Sequence, residues 1–223
     1  AHRAGEDGLH FWRALGLHVH AFEPSPGFFR ELQAVAGGLP GVVLHNFGVG
    51  LHARRALLHV DGTASATLSG TSAVSAHGGN PLMEEIYVLS VEDALRRIPT
   101  RQIGLLHINC EGCEYDVVEG LHAAGRLAGI EHIQIATHLL GASLGVPAVA
   151  DSFGASIARY CRMHFILAQS HERVWGLPWV WERWTKRANG SRPAWEHHGP
   201  RCQWRVAPLG CWGDLEEERA VQP

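Results

Sequence analysis

The sequence predicts an α/β protein: a mostly parallel sheet covered by helices on both faces and ended by an antiparallel hairpin. Three observations predict it. Segments with helical spacing alternate with short β-branched and apolar runs along most of the chain. Two of those runs, IGLLHIN (103–109) and HIQIATH (132–138), read as strands of the buried type, the first almost continuously apolar. The last two, HFILAQS (164–170) and ERVWGL (172–177), follow one another directly, as the arms of a hairpin do.

Each element has a local reason. From Gly8 to Leu15 the apolar residues fall at helical spacing, and Gly16 stops the helix before the strand LHVHAF, which Pro24 bounds. Ser25-Pro26 reads as an N-cap with proline at the first helical position. Phe28, Phe29, Leu32 and Val35 then give one apolar face, ended by Gly37-Gly38. VVLHNFGVG (42–50) and RALLHVDG (55–62) read as strands, the second at an edge or antiparallel to a neighbour. Thr63 to Pro81 is rich in Ser, Thr, Gly and Ala without periodicity, a candidate lid or substrate loop. EIYVLS (85–90) is the next strand and VEDALRRI (91–98) a short helix. Tyr115 to Ala128 and Ala148 to Arg162 read as helices flanking the strand 132–138. After Trp184 the periodicity fails, giving residues 1–187 as one domain and 188–223 as an irregular tail ending in the acidic run Asp214 to Glu218.

The 223 residues suffice for one sizeable core. With 46% hydrophobic and 18% charged residues the composition is that of a soluble globular protein, and no apolar run is long enough to span a bilayer. Lys and Arg number 19 against 22 Asp and Glu, a net charge of -3, which offers no basic field to a nucleic-acid backbone. The opening residues lack the charged-then-apolar pattern of a signal peptide, and the start at Ala1 reads as a truncation. An odd count of five cysteines favours a reducing, cytoplasmic setting; Asn189-Gly190-Ser191, a glycosylation triplet, keeps the secretory pathway open.

In open α/β sheets ligands bind beyond the carboxyl ends of the strands. Glu23 stands at such an end, where a carboxylate can accept from both hydroxyls of a ribose or simply cap the following helix. Gly5 and Gly8 precede it, either as the end of a cofactor loop or as ordinary turn glycines. The densest cluster is LLHINCEGCEYDVVEG: a buried strand, then Glu111, Gly112 and Glu114 at a helix start, as base, metal ligands or helix caps. Cys110 and Cys113 have the CxxC spacing of zinc ribbons and thiol–disulfide enzymes; a zinc ribbon needs a second such pair and a redox site a first Cys at a helix start after a strand, which Cys110 could satisfy, but two structural thiols are expected and no metal site. His138 closes its strand and is a candidate general base or a neutral, hydrogen-bonded histidine. Trp175, Trp179, Trp181 and Trp184 either pack at the hairpin or offer a stacking surface to a sugar.

Taken together, HVHAFEPSPGFFRELQA, HNFGVG, LLHINCEGCEYDVVEGL and IEHIQIATH resemble the FkbM family of S-adenosylmethionine-dependent methyltransferases, over roughly residues 5 to 185. The family's FEP, N-x-x-V-G, K-x-D-x-E-G-x-E and E-x-H segments have counterparts here in the same order. The resemblance implies a class I methyltransferase fold, a Rossmann-like three-layer sandwich, with its first strand missing from this chain. It implies S-adenosylmethionine as cofactor and a hydroxyl on a small molecule or glycan as acceptor. Glu23 and Pro24 would meet the ribose, Asn46 and Gly48 the adenosine side, and Asn109, Glu111 and Glu114 the methyl-transfer side. Glu111 would be the base, with Glu114 or His138 in reserve. The chain departs from the pattern at His107 (commonly Lys), Asn109 (Asp) and Ala136 (the carboxylate of E-x-H), and its glycine-rich loop is short. A catalytically inactive module that binds cofactor or a partner is the alternative.

Overall fold

A computed structural model of the chain describes residues 6–60, 66–68, 82–110, 112–138, 149–177 and 180–188. It begins with helix α1 (Glu6–Leu15), which Gly16 ends in the left-handed region at φ 63. Strand β1 (Val19–Phe22) then pairs in parallel with β2 (Val42–His45) across helix α2 (Pro26–Ala36). As the spacing predicts, Ser25 is the N-cap of α2, its hydroxyl accepting from Phe28 N–H at 3.1 Å, and proline occupies the first turn. Leu9 of α1 and Leu32 and Ala36 of α2 pack on Ala21, Val42 and Leu44, so both helices cover one face of this pair.

The second sheet has the order β3-β6-β4-β5, from β3 (Gly48–Gly50), β4 (Arg54–Val60), β5 (Ala66–Leu68) and β6 (Leu82–Ser90). Helix α3 (Val91–Leu95) follows, capped by Ser90, and leads into the third sheet. There β7 (Ile103–Ile108) pairs in parallel with β8 (Ile130–Ile135) across helix α4 (Glu114–Ala123). Helix α5 (Val149–Ala168) then leads to the hairpin β9 (His171–Leu177) and β10 (Trp181–Lys186), with β10 inserted antiparallel beside β8 in the order β7-β8-β10-β9.

The largest core lies where α4 and α5 meet this sheet. Tyr115, Val118, Leu121, Tyr160, Met163 and Leu167 close over Ile108, Ile133, Ile135 and Trp184, all at 4% exposure or less except Ile108. Each such side chain contributes about 1.5–3 kcal/mol by leaving water. His107 alternates with Ile108 and so faces the other way, where Phe11 of α1 meets it at 5.3 Å between ring centroids. Helices therefore lie on both faces of the sheet.

The α/β class is as the sequence predicts, but the sheets are mixed rather than mostly parallel. Three described pairings are parallel and four antiparallel. The run 42–50 is two strands in different sheets: Asn46 turns back to donate to Glu23 O at 2.9 Å, and the chain leaves β1 there. HFILAQS is the end of α5, not a strand, because Tyr160, Met163 and Leu167 continue one helical face into the core. The hairpin is therefore 171–177 with 181–186, later than expected, and its pattern runs on past Trp184. Trp184 is buried, Trp181 packs near His107 at 5.1 Å, and Trp175 is 54% exposed. Helix α4 stops at Ala123, five residues before its expected end, because Gly125 turns left-handed at φ 64. The proposed loop 63–81 lies outside the described residues except for β5, as do Trp179 and the tail from 189 onward. Among the described residues no helix is long and apolar enough to cross a membrane.

Candidate functional site

The carboxyl end of β1 is built around Glu23. Its backbone N–H donates to His45 O at 2.9 Å, one step beyond the last strand pair, so Glu23 is held in line with the sheet. The side chain folds back, Oε1 accepting from Ser25 N–H at 2.9 Å, and is 4% exposed. Burial, with a smaller contribution from the neighbouring Glu84 carboxylate, pushes its pKa above the usual range despite the Ser25 amide. Glu84 reaches the same turn from β6, accepting from the Ser25 hydroxyl at 2.5 Å. Two carboxylates thus face the N-terminal turn of α2, where the helix dipole favours negative charge.

Beside them, on the face of β1 and β2 turned away from α1 and α2, His20 Nδ1 and His45 Nε2 lie 3.0 Å apart. Phe22 stacks on His45 at 4.7 Å, Phe47 meets Phe22 edge-on at 5.6 Å, and the Arg97 guanidinium lies 5.2 Å from the Phe47 ring centre. Burial lowers the proton affinity of both histidines; His18 adds to this at His20, and His20 and Arg97 add to it at His45. The result is a cluster of aromatic rings packed on one another beside the end of β1, Phe47 inclined to the other two.

At the carboxyl ends of β7 and β8 the chain is tied more tightly. Cys110 and Cys113 form a disulfide across the turn into α4, where free thiols were expected, and Gly112 supplies the turn at φ 113. The spacing alone could not distinguish the two states, since it fits thiols, a metal or a bond equally. Glu114, the first residue of α4, is fully buried. Its Oε2 accepts from Gly112 N–H at 2.9 Å; its Oε1 accepts from His138 N–H at 2.7 Å and lies 3.1 Å from His138 Nδ1. Tyr115 donates its hydroxyl to His138 O at 2.7 Å, so His138 is fixed at its amide, its carbonyl and its ring. The tautomer that satisfies an ionised Glu114 carries its proton on Nδ1. One residue earlier, buried Thr137 Oγ1 has no hydrogen-bond partner among the described residues.

Strand β3 joins the two ends. A methyl group at Gly48 would lie 3.5 Å from Pro24, and one at Gly50 would lie 3.6 Å from Asp116 Oδ2 in the first turn of α4. The strand therefore runs within side-chain reach of both turns; the close approach that a side chain at Gly50 would disturb is to Val88 of β6, at 3.0 Å. The structure thus brings Glu23, Pro24, Asn46 and Gly48 together at one end of β3 and Glu114 and His138 together at the start of α4, with Gly50 of β3 beside that helix's Asp116. Asn109 is half-buried just past β7. Gly8 is not in a loop: it lies within α1 facing Val19, with room for a methyl group at 3.6 Å. Gly5 and Glu111 lie outside the described residues. Glu84, Thr137 and the His20–His45 pair were not singled out from sequence; Glu84 in particular reads as one more polar position of a half-exposed strand. Among the described residues no three His, Cys, Asp or Glu side chains gather as a metal site. No family model, no curated protein and no solved structure matches the chain.

Proposed function

We propose that the chain is an S-adenosylmethionine-dependent methyltransferase of class I, related to the FkbM family, that methylates a hydroxyl of a small molecule or sugar. The observation that carries this reading is Glu23: a buried carboxylate with a raised pKa at the carboxyl end of a parallel strand, where α/β sheets bind ligands. Its two oxygens suit paired ribose hydroxyls, and the neighbouring Phe22, His45 and Phe47 rings make the surroundings aromatic. The hairpin β9–β10 at the end of the β7–β8 pair agrees with the class I layout. So does the connection through β3 to a second turn that bears a candidate base.

The cofactor, when bound, supplies an electrophilic methyl group on a sulfonium. Everything else falls to the chain: alignment of the acceptor oxygen, and removal of its proton. Among the described residues, His138 has the arrangement for a base, with Glu114 holding Nδ1 so that Nε2 can take the proton. Glu114 is then a positioning residue. Thr137, with its hydroxyl unpaired among the described residues, offers a hydrogen bond to the acceptor.

Calorimetry with S-adenosylmethionine tests the reading. The chain should bind it saturably and Glu23→Gln should weaken binding at least tenfold; no heat of binding to the unsubstituted chain would refute it. The inactive-module alternative is favoured by one observation, the buried Ala136 at the family's carboxylate position. It predicts binding without methyl transfer to any hydroxyl acceptor offered with a radiolabelled donor.

A further inference from the structure

The turn between β7 and α4 has a second chemistry. Cys110 and Cys113 are half-buried and bonded to each other, and Cys113 is the N-cap of α4. The fully buried carboxylate of Glu114 touches both sides of this turn: Oε2 accepts from Gly112 N–H within the disulfide loop and lies 3.4 Å from Cys110 Sγ, while Oε1 accepts from the His138 amide. A sulfur in a disulfide has no proton to give, so the Cys110 contact becomes a hydrogen bond only when the bond is opened.

We propose that Cys110 and Cys113 form a thiol–disulfide exchange site for a small dithiol, and that its state is transmitted to His138 through Glu114. The inference goes beyond methyl transfer and stands without it. A thiolate of the dithiol attacks Cys110 Sγ; the S–S bond breaks and its electron pair leaves on Cys113 Sγ, at a helix start that favours an anion. The reagent's second thiol then attacks the reagent's own sulfur in the mixed disulfide, and Cys110 leaves. The dithiol becomes a cyclic disulfide, two electrons have moved, and its two protons end on the two cysteines. Cys110 S–H then donates to Glu114 Oε2, a fourth donor on a carboxylate already accepting from the Gly112 amide and from the His138 amide and ring. Sharing of the carboxylate weakens both amide bonds.

The test uses the full chain with Cys161→Ser, Cys202→Ser and Cys211→Ser, so that alkylation counts only the pair. Dithiothreitol is titrated against its oxidised form without denaturant, with maleimide adducts counted by mass and the Gly112 and His138 amides followed by nitrogen-edited NMR. The expected result is a gain of two adducts, reversed on reoxidation, with both amide protons moving upfield at the same midpoint. Cys113→Ser, which leaves Cys110 a permanent thiol, should show the reduced-form shifts without reagent. In Glu114→Gln the pair should still open while the His138 shift no longer follows it. A pair that stays closed in excess dithiothreitol overturns the proposal. So does a pair that opens with no change at His138, or a Cys113→Ser chain with the oxidised-form shifts; these two variants give independent answers if Glu114→Gln does not fold.

Discussion

Glu114→Ala removes a fully buried carboxylate that accepts from Gly112 N–H at 2.9 Å, His138 N–H at 2.7 Å and His138 Nδ1 at 3.1 Å. Each backbone amide left unpaired costs about 1–3 kcal/mol. The His138 ring, 25% exposed, can turn to water and adds little. The expected loss is therefore about 3–5 kcal/mol, in the range for breaking a buried pair from one side. At roughly 2–4 °C per kcal/mol for a domain of this size, melting should fall by about 6–20 °C. Glu114→Gln keeps the shape but sets an NH2 against one of the amide donors, so about 2 kcal/mol should go. Glu92→Ala is the control: its pair with Arg96 leaves both side chains at least 65% exposed, worth under about 1 kcal/mol. Thermal and chemical denaturation give the energies, and hydrogen exchange at Gly112 and His138 locates them. An alanine variant melting within about 2 °C of the parent, or unchanged exchange at those two amides, would show that Glu114 does not brace this turn.

Three further outcomes are expected. Glu182 is buried, and although burial pushes its pKa up, hydrogen bonds from His164, Tyr160 and Trp184 hold it below the usual value. Its stabilisation is present above the unfolded value of 4.5 and lost as pH falls through the lower folded one. Glu182→Gln should remove that acid-dependent step from the stability profile, and a variant that keeps it in full contradicts the assignment. Glu23 has the opposite sign: its raised pKa makes stability present below 4.5 and lost as pH rises through the folded value. Glu23→Gln, which keeps an oxygen for Ser25 N–H, should melt no lower than the parent at neutral pH; a clear drop in melting temperature argues against it. Gly120→Ala would put a methyl group 2.5 Å from Val91 Cγ2 between α3 and α4. Overpacking of about 1–3 kcal/mol should outweigh a helix-propensity gain of about 1 kcal/mol, whereas Gly104→Ala, with nothing within 4 Å, should be close to neutral on the packing side.

What was legible in the sequence is what local chemistry specifies. Ser25-Pro26 announces a helix, IGLLHI a strand and Gly16 a helix end, and each stands where the pattern places it; the strand is not of the buried type expected, since β7 ends its described sheet and only Ile108 of it is buried. The failures are of another kind. HFILAQS is apolar on every side, so a seven-residue window cannot tell helix from strand; burial of Met163 and Leu167 against the sheet decides it. The partners of β3 and β4 on β6 lie between about twenty and forty positions away, as in Val60 with Leu82 and Gly48 with Val88, and no local pattern carries that pairing. Glu84 meets Ser25 only because β6 lies beside α2, which is a property of the topology.

The same distinction applies to the two buried glutamates. Both follow parallel strands and both accept from backbone N–H groups, so either could be dismissed as a brace. Their electrostatics differ. Glu114 is matched by donors on both oxygens, and the turn and His138 depend on it. Glu23 is held where burial works against its charge. A carboxylate buried at that cost beyond a strand end marks a candidate ligand site rather than a brace alone. Loss of Glu114 should therefore be read in stability and exchange, and loss of Glu23 in ligand affinity with stability intact.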